Sequence, residues 1–222
     1  MIKNFIVSTF SSVLLLSLVC SLSVQPIRAD VPIAESAETT KPLRSGQRAP
    51  RFVVRDVENE EFVFDPNALA RPTLIITVRG GWCPYCNMHL SELRTVVPEI
   101  AALGVDVLFL SGDRPELLYA SLAQDTQDDI ADLDYRIYSD AESQAAIAFG
   151  TAFRVEDGYK EWFEEKGHDY KNSSIDRDNI LAVPAVYAID EKGMIRFDFV
   201  EADYKVRLPA DDLLSVAREI AP

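Results

Sequence analysis

The stretch from residue 73 to residue 104 most constrains the fold, because it reads as a buried β-strand that turns directly into an α-helix. Thr73–Val78 is a short, partly β-branched apolar run of the kind found in strands buried on both faces. After Gly80 and Gly81, apolar residues recur at helical spacing until Gly104. This order predicts an α/β fold, in which reactive groups gather at the carboxyl end of a strand and face a helix N-terminus.

Two cysteines, Cys83 and Cys86, stand at this junction within the motif WCPYC. Cysteines separated by two residues can cycle between dithiol and disulfide, so no cofactor is expected. If a helix begins at Pro84, its free N–H groups and its dipole stabilise a thiolate on Cys83 and lower its pKa. Cys83 is therefore the predicted nucleophile, and Cys86, one turn into the helix, is the predicted resolving cysteine.

The same spacing also occurs in structural zinc sites, which need two further ligands. The third cysteine, Cys20, lies in a segment that we expect to be removed, and His89 and His168 are single and far apart in the chain. We therefore expect no metal and favour a redox pair. One alternative stays open, namely a non-enzymatic binding module in which the disulfide only stabilises a turn.

A proline opens the apolar strand pattern that runs from residue 183 to Asp190. Central strands rarely hold a proline, because it cannot donate to the ladder of hydrogen bonds. A cis peptide bond at Pro184 would remove the proline from the ladder and leave neighbouring backbone free to pair with an extended substrate. We therefore predict a cis Pro184, with Val183, Pro184 and Trp82 as the substrate-positioning residues.

These motifs together resemble the alkyl hydroperoxide reductase/thiol-specific antioxidant (AhpC/TSA) family, and in particular its peroxiredoxin-like members within the thioredoxin superfamily. The resemblance covers nearly all of the chain after residue 42. It rests on the opening positions Leu43, Gly46, Ala49, Pro50, Phe52 and Asp56, on RGGWCPYC at 79–86, on VPAVYAID at 183–190 and on DYKVRL at 203–208.

The resemblance implies a thioredoxin-like α/β fold, with a central mixed sheet flanked by helices and an N-terminal hairpin extension. It also implies a thiol-dependent antioxidant oxidoreductase that reduces hydroperoxides through a Cys83/Cys86 dithiol–disulfide cycle. The partner implied is a thioredoxin-like protein or another dithiol reductant, which would regenerate the dithiol.

Two positions depart from the family pattern. Peroxiredoxins usually carry Thr or Ser three residues before the reactive cysteine, where this chain has Gly80, and an arginine where this chain has Pro184. A hydroxyl and a guanidinium at those positions would bind the peroxide oxygens. Their absence favours an alternative reading, in which the chain is a thiol–disulfide oxidoreductase acting on protein disulfides.

Residues 1–29 have the pattern of a secretory signal peptide, in which Lys3 precedes a charge-free run that ends before Arg28. An uncleaved membrane anchor is the alternative. We expect an exported protein in the periplasm or another extracytoplasmic compartment. Residues 30–42 are rich in Pro, Ser, Thr and Glu and are predicted to be a flexible linker before one domain over residues 43–222.

The net charge of −14 for 222 residues becomes more negative once residues 1–29 are removed, which argues against a nucleic-acid partner. Residues 155–179 form an acidic stretch with several aromatic residues, predicted to be a solvated face or, alternatively, a lid or docking surface. Periodicity predicts a hairpin at 52–64, and a second one in which 194–200 pairs back through the turn 190–193. It also predicts strands at 105–110 and 135–138, and helices at 115–123, 142–149 and 211–220.

Overall fold

The computed structural model of the chain describes residues 32–156 and 158–222, so the signal peptide predicted over 1–29 lies outside the described residues. The strands are β1 (Phe52–Arg55), β2 (Glu61–Phe64), β3 (Thr73–Val78), β4 (Asp106–Ser111), β5 (Arg136–Ser139), β6 (Ala152–Arg154), β7 (Ile180–Ala182), β8 (Ala185–Ile189) and β9 (Ile195–Val200). The helices are α1 (Pro84–Leu93), α2 (Val97–Ala102), α3 (Gln124–Ile130), α4 (Gln144–Ala148), α5 (Gly158–Lys166), α6 (Ser174–Asp178) and α7 (Ala210–Ile220). Short 3-10 turns occupy Ala37–Thr39 and Pro115–Leu117.

Seven strands form one sheet in the order β2-β1-β5-β4-β3-β8-β9, and β6 pairs with β7 in a separate two-stranded sheet. Strands β3, β4 and β5 run parallel, whereas β1, β2, β8 and β9 join them by antiparallel pairing. The central mixed sheet flanked by helices and the N-terminal hairpin β1–β2 are therefore confirmed.

The two faces of β3 pack into two different hydrophobic clusters, as the alternation of side chains along a strand requires. Leu74, Ile76 and Val78 point to the cluster formed with α1, α2 and α7, and both cysteines belong to this cluster. Ile75 points to the opposite cluster, which includes Phe149 after α4. The dithiol thus lies on the α1 face of the sheet, beside the carboxyl end of β3.

The helix predicted to run from the cysteines to Gly104 is divided in two. Helix α1 ends at Leu93, and α2 begins at Val97. Pro98 explains the break, because it has no N–H with which to continue the helical hydrogen bonds, and its ring clashes with the carbonyl of the preceding turn.

The flexible linker predicted over residues 30–42 is corrected over its described part. The backbone of Ala34 pairs with β6 opposite Phe153: its carbonyl accepts from Arg154 N at 2.8 Å, and its N–H donates to Ala152 O at 3.2 Å. A 3-10 turn follows, and Leu43 N donates to Phe149 O at 2.9 Å. The polar composition suggested a loose segment, but these long-range backbone bonds hold it against the fold.

The predicted cis bond at Pro184 is wrong, because every peptide bond among the described residues is trans. Pro184 stands between β7 and β8, which belong to different sheets, so its missing N–H falls in neither ladder. Its carbonyl accepts from Glu201 N at 3.0 Å. The proline therefore fits a trans junction between two strands.

The acidic stretch at residues 155–179 folds into α5 and α6 around a buried aromatic residue, Phe163, which is 0% exposed. Arg114 anchors the stretch from outside through a bidentate ion pair with Asp169, at 2.8 and 3.0 Å. The side chain of Lys160 also donates to Asp176 O at 3.0 Å. In the described part of the chain, no helix has the length and apolarity needed to cross a membrane.

Candidate active site

Cys83 is the N-cap of α1 and Pro84 is its first residue, as the sequence predicts for a helix that begins at the motif. Cys86 lies one turn in, with its N–H donating to the carbonyl of Cys83 at 3.0 Å. Both cysteines are free thiols, and their exposed fractions are only 1% and 2%. The two thiols are therefore close to each other and shielded from solvent.

The Cys86 sulfur is the more acidic of the two. The Cys83 thiol donates a hydrogen bond to it, and the Arg207 guanidinium places a positive charge beside it, so the pKa of Cys86 is lowered to about 6 despite burial. Arg207 Nη2 lies 3.4 Å from this sulfur. The same contact with Cys86, together with burial, raises the pKa of Cys83.

The lowering of the Cys83 pKa by the helix N-terminus stays a prediction, because the two buried sulfurs share their titration. In the reduced pair one proton lies between the two sulfurs, and the pair titrates as a unit. The nearby Arg207 guanidinium favours the negative charge on Cys86. The Cys86 sulfur is thus already placed to accept the proton of the Cys83 thiol.

The loop before Cys83 is fixed from two sides. The buried carboxylate of Asp113 accepts from Gly81 N at 2.7 Å and from the Ser121 hydroxyl at 3.0 Å. The amide of Asn87 donates to Gly81 O at 2.6 Å and to Cys83 O at 3.0 Å. Both side chains therefore position the backbone that leads into the dithiol.

Gly80 leaves no room for the hydroxyl side chain that peroxiredoxins usually carry there. Its φ of +156° is one that residues with a side chain rarely adopt. A Cβ at this position would overlap the Trp82 indole nitrogen and lie 2.8 Å from Asp113 Oδ1. The departure at residue 80 is thus built into the local packing.

Asp113 and Arg207 are site residues that the sequence analysis missed. Burial raises the pKa of Asp113 to about 6, against its hydrogen bonds with Gly81 and Ser121, and the nearby charge of Cys86 adds to the rise. Asp113 follows β4, which pairs with β3. Its place at the carboxyl edge of the sheet could have identified it as a site residue from the sequence. Arg207 stands in the motif DYKVRL, which was matched but given no role.

Aromatic rings and a second arginine surround the motif. Arg79 Cζ lies 5.2 Å from the ring centre of Trp82 and 4.6 Å from that of Tyr204. The Tyr204 ring meets Tyr85 edge-on at 5.6 Å, and the Trp82 ring meets Phe163 edge-on at 4.6 Å. Trp82 is thus held beside the dithiol by α5, which brings the acidic stretch to the site.

The backbone of the other two predicted positioning residues is already paired. Val183 N donates to Thr151 O at 3.0 Å, and Val183 O accepts from the Thr77 hydroxyl at 3.0 Å. The Pro184 carbonyl accepts a hydrogen bond from Glu201 N. The structure therefore leaves Val183 and Pro184 no backbone group with which to pair a substrate.

Neither histidine contacts the sulfurs. His89 Nε2 lies 3.1 Å from Leu208 O, and burial lowers the pKa of His89 to about 4, so the ring is neutral near pH 7. His168 packs on Trp162, with 5.5 Å between the ring centres. Among the described residues, no three His, Cys, Asp or Glu side chains lie close enough together to hold a metal ion.

A family model described as "AhpC/TSA family" matches residues 45–198. Among curated proteins, Peroxiredoxin Bcp of Escherichia coli K12 is 28% identical over 109 residues, which span 49% of this chain and 65% of that protein. The match therefore covers slightly less than two thirds of that relative.

Solved structures with a similar fold include the peroxiredoxin-like protein from Aquifex aeolicus, 19% identical, with a TM-score of 0.60 over 81% of this chain and 89% of that one. Peroxidoxin BcpB from Mycobacterium tuberculosis is 16% identical, with a TM-score of 0.56 over 81% and 99%. Reduced Prx3 in complex with hydrogen peroxide, from Vibrio vulnificus, is 15% identical, with a TM-score of 0.60 over 79% and 99%. These likenesses confirm the thioredoxin-like α/β fold.

Proposed function

The chain belongs to the AhpC/TSA family, and from this premise we propose that it is a thiol-dependent peroxidase that reduces hydroperoxides with Cys83 and Cys86. One observation carries the proposal. The buried Cys83 and Cys86 thiols are coupled at the start of α1, and Arg207 Nη2, 3.4 Å from Cys86 Sγ, favours a thiolate there. A nucleophile in contact with an ionised base is the arrangement that covalent catalysis requires.

Cys83 attacks first. Its proton passes to the Cys86 thiolate as the Cys83 sulfur bonds to the terminal oxygen of the hydroperoxide and the O–O bond breaks. The departing alkoxide takes a proton from solvent and leaves as an alcohol, or as water when the substrate is hydrogen peroxide. The sulfur is oxidised to a sulfenic acid and the peroxide is reduced.

Cys86 then resolves the intermediate. Its sulfur attacks the Cys83 sulfenic sulfur, the S–O bond breaks, and the hydroxide leaves with the Cys86 proton as water. Because the two side chains are already in contact at the start of α1, this step needs no unwinding of the helix. An external dithiol returns the disulfide to the reduced pair by two thiol–disulfide exchanges.

The proposed reductant is a thioredoxin-like protein or another dithiol. The signal-peptide pattern of residues 1–29 supports an extracytoplasmic location, so the reductant would work in that compartment. Since the sulfurs are buried, a substrate reaches them only if a covering group moves.

Stopped-flow Trp fluorescence of the reduced protein mixed with hydrogen peroxide tests the peroxidase proposal, because Trp82 lies beside the motif. The expected rate constant is orders of magnitude above that of a free thiol and is lost in Cys83→Ser. In Cys86→Ser the first oxidation should persist, while disulfide formation stops. A rate like that of a free thiol would overturn the proposal.

A second candidate function, exchange with protein disulfides, is favoured by the apolar rim, the exposed side chains Met88, Trp162, Tyr204 and Val206. Each lies on or beside an element that carries or contacts the motif, where exposed apolar side chains suit the binding of another protein. Rapid reduction of a disulfide-bonded protein together with slow peroxide oxidation would favour this function over the first.

A further inference from the structure

Arg79 is a buried cation whose hydrogen-bonding capacity is largely unused. Its side chain is 6% exposed, and its Nη2 donates to the Tyr159 hydroxyl at 2.6 Å. A guanidinium has five N–H donors, yet Arg79 Nε has no partner, and within the described residues no carboxylate oxygen lies within 4.0 Å of the group. Burying a charge without an ionic partner is costly, so a site that keeps one has a use for it.

Arg79 has no acid beside it in the part of the chain that the structure describes, although the whole chain has a net charge of −14. Nine of the fourteen arginines in the described residues pair with carboxylates, whereas Arg48, Arg51, Arg154 and Arg207, like Arg79, do not. The paired ones are Arg44, Arg55, Arg71, Arg94, Arg114, Arg136, Arg177, Arg196 and Arg218. The buried acid nearest the motif, Asp113, is bound to Gly81 N–H and the Ser121 hydroxyl instead.

Arg207 differs from Arg79 because both of its terminal nitrogens are engaged, although its Nε, like that of Arg79, has no partner among the described residues. Its Nη1 donates to the carbonyls of Tyr204 and Val206, and its Nη2 donates to Cys86. Arg207 therefore serves the thiolate. The charge of Arg79 also acts on the dithiol, since it opposes the rise in the pKa of Cys83 that Cys86 and burial cause. In the described structure, however, the Arg79 guanidinium has no acidic partner and its Nε is unpaired, so it can receive a group from outside.

The surroundings of Arg79 specify that group. The rings of Trp82 and Tyr204 contact its guanidinium. The N–H donors in the plane of the guanidinium are therefore the polar part of otherwise aromatic surroundings. A planar fork matches a carboxylate through two parallel hydrogen bonds. One free guanidinium balances one negative charge, which suits a carboxylate better than a phosphate dianion.

We propose that Arg79 binds the carboxylate of an organic hydroperoxide whose apolar body lies against Trp82 and Tyr204. This inference rests on the proposed peroxidase function and adds the class of substrate to it. Arg79 here is a specificity-determining residue, and the sulfur chemistry stays with Cys83 and Cys86.

Cumene hydroperoxide and its para-carboxy derivative provide a matched substrate pair that differs by one negative charge. With dithiothreitol as the reductant, which has no carboxylate, the wild-type kcat/KM should be about tenfold or more higher for the carboxylated compound, as expected for one charge-assisted pair. Equal values for the two compounds would overturn the inference and leave the peroxidase function standing. If neither compound were reduced, the proposed function would fall and this inference with it.

Arg79→Gln removes the charge, and Arg154→Gln, at an exposed arginine of β6, is its matched control. We expect the preference to collapse towards one in Arg79→Gln and to persist in Arg154→Gln. A preference that survives in Arg79→Gln, or an equal loss with both substrates, would contradict the assignment.

A measurement on the wild type keeps the inference testable if Arg79→Gln does not fold. Para-isopropylbenzoate, which has the carboxylate but no peroxide, should inhibit reduction of the carboxylated substrate competitively, whereas isopropylbenzene should not. Equal inhibition by the two compounds would contradict the inference.

Tyr159→Phe, which frees Arg79 Nη2, should change the preference for the carboxylated substrate without abolishing it. An unaltered ratio of the two kcat/KM values would count against the assigned geometry.

Discussion

Arg207 Nη2 lies 3.4 Å from Cys86 Sγ, although 121 positions separate the two residues in the chain. This contact brings the loop before α7 to the start of α1 and places a permanent charge against a buried sulfur. The acidity of the dithiol thus depends on a contact that only the tertiary fold provides.

Arg207→Gln should raise the pKa of the dithiol by about one unit, because it removes a positive charge beside the thiolate. Near pH 6 the ionised fraction would then fall from about one half to about one tenth, and the rate with hydrogen peroxide by about fivefold. Ultraviolet absorbance of the thiolate against pH measures the shift. Arg218→Gln, on α7 and away from the sulfurs, should titrate like the wild type, and an unshifted Arg207→Gln titration would refute the assigned contact.

Gly80→Thr would restore the residue typical of peroxiredoxins, yet it should not improve the rate with peroxide. The new Cβ overlaps Trp82 and approaches Asp113, so the free energy of unfolding should fall by about 2–4 kcal/mol. Gly46→Ala is the control, because Gly46 has a φ of +89° but open space around it, and it should cost about 1 kcal/mol. Urea unfolding compares the two, and a faster peroxide reaction in Gly80→Thr would show that the loop tolerates the hydroxyl.

Asp113→Asn should remove a pH dependence of stability. Burial raises the pKa of Asp113 to about 6 in the folded state, against an ordinary value of 3.8. A raised pKa means that the folded state holds the proton more tightly, so its contribution to stability is full below about pH 4 and is lost as the pH rises to about 6. The loss is on the order of 3 kcal/mol.

Urea unfolding between pH 4 and pH 7 is the measurement for Asp113. The wild type should lose more stability over this interval than Asp113→Asn, while the exposed control Asp132→Asn should follow the wild type. Parallel curves for wild type and Asp113→Asn would mean that the carboxyl titrates normally.

Phe163→Ala should destabilise the fold by about 3–5 kcal/mol, because Phe163 is 0% exposed and packs on Trp82. Its removal should also loosen the cover of the dithiol and speed its reaction with a bulky aromatic disulfide reagent. Trp162→Ala, at a half-exposed neighbour, should cost less stability. Unchanged thiol accessibility in Phe163→Ala would show that α5 does not protect the sulfurs.

The parts of the fold that the sequence predicts well are those with local signals. The hairpin β1–β2, the strand β3 and the start of α1 at Pro84 lie where alternation, a buried apolar run and a proline at the first helical position place them. The predicted helix at 115–123 fails, because only Pro115–Leu117 is helical there and α3 starts at Gln124. The Ser121 hydroxyl is used on Leu117 O and Asp113, bonds that compete with regular helix geometry.

The parts of the site that escape prediction come from distant segments. The spacing of Cys83 and Cys86 identifies them in the sequence. Asp113 and Arg207 reach the site only because the fold places the end of β4 and the loop before α7 beside α1. The order of strands also explains why the prediction of a cis bond at Pro184 is wrong. In the sequence Pro184 lies within one apolar run, whereas in the structure it separates strands of two different sheets.

The long sequence separation of Cys86 and Arg207 also has a meaning for biosynthesis. A chain that emerges from its N-terminus presents both cysteines well before the arginine is made, and domains fold as units around such late segments. Until the loop before α7 docks, the thiols lack the charge of Arg207 and remain closer to ordinary, slowly reacting cysteines. The charge that favours a Cys86 thiolate is therefore in place only after the last part of the chain has been made and has docked.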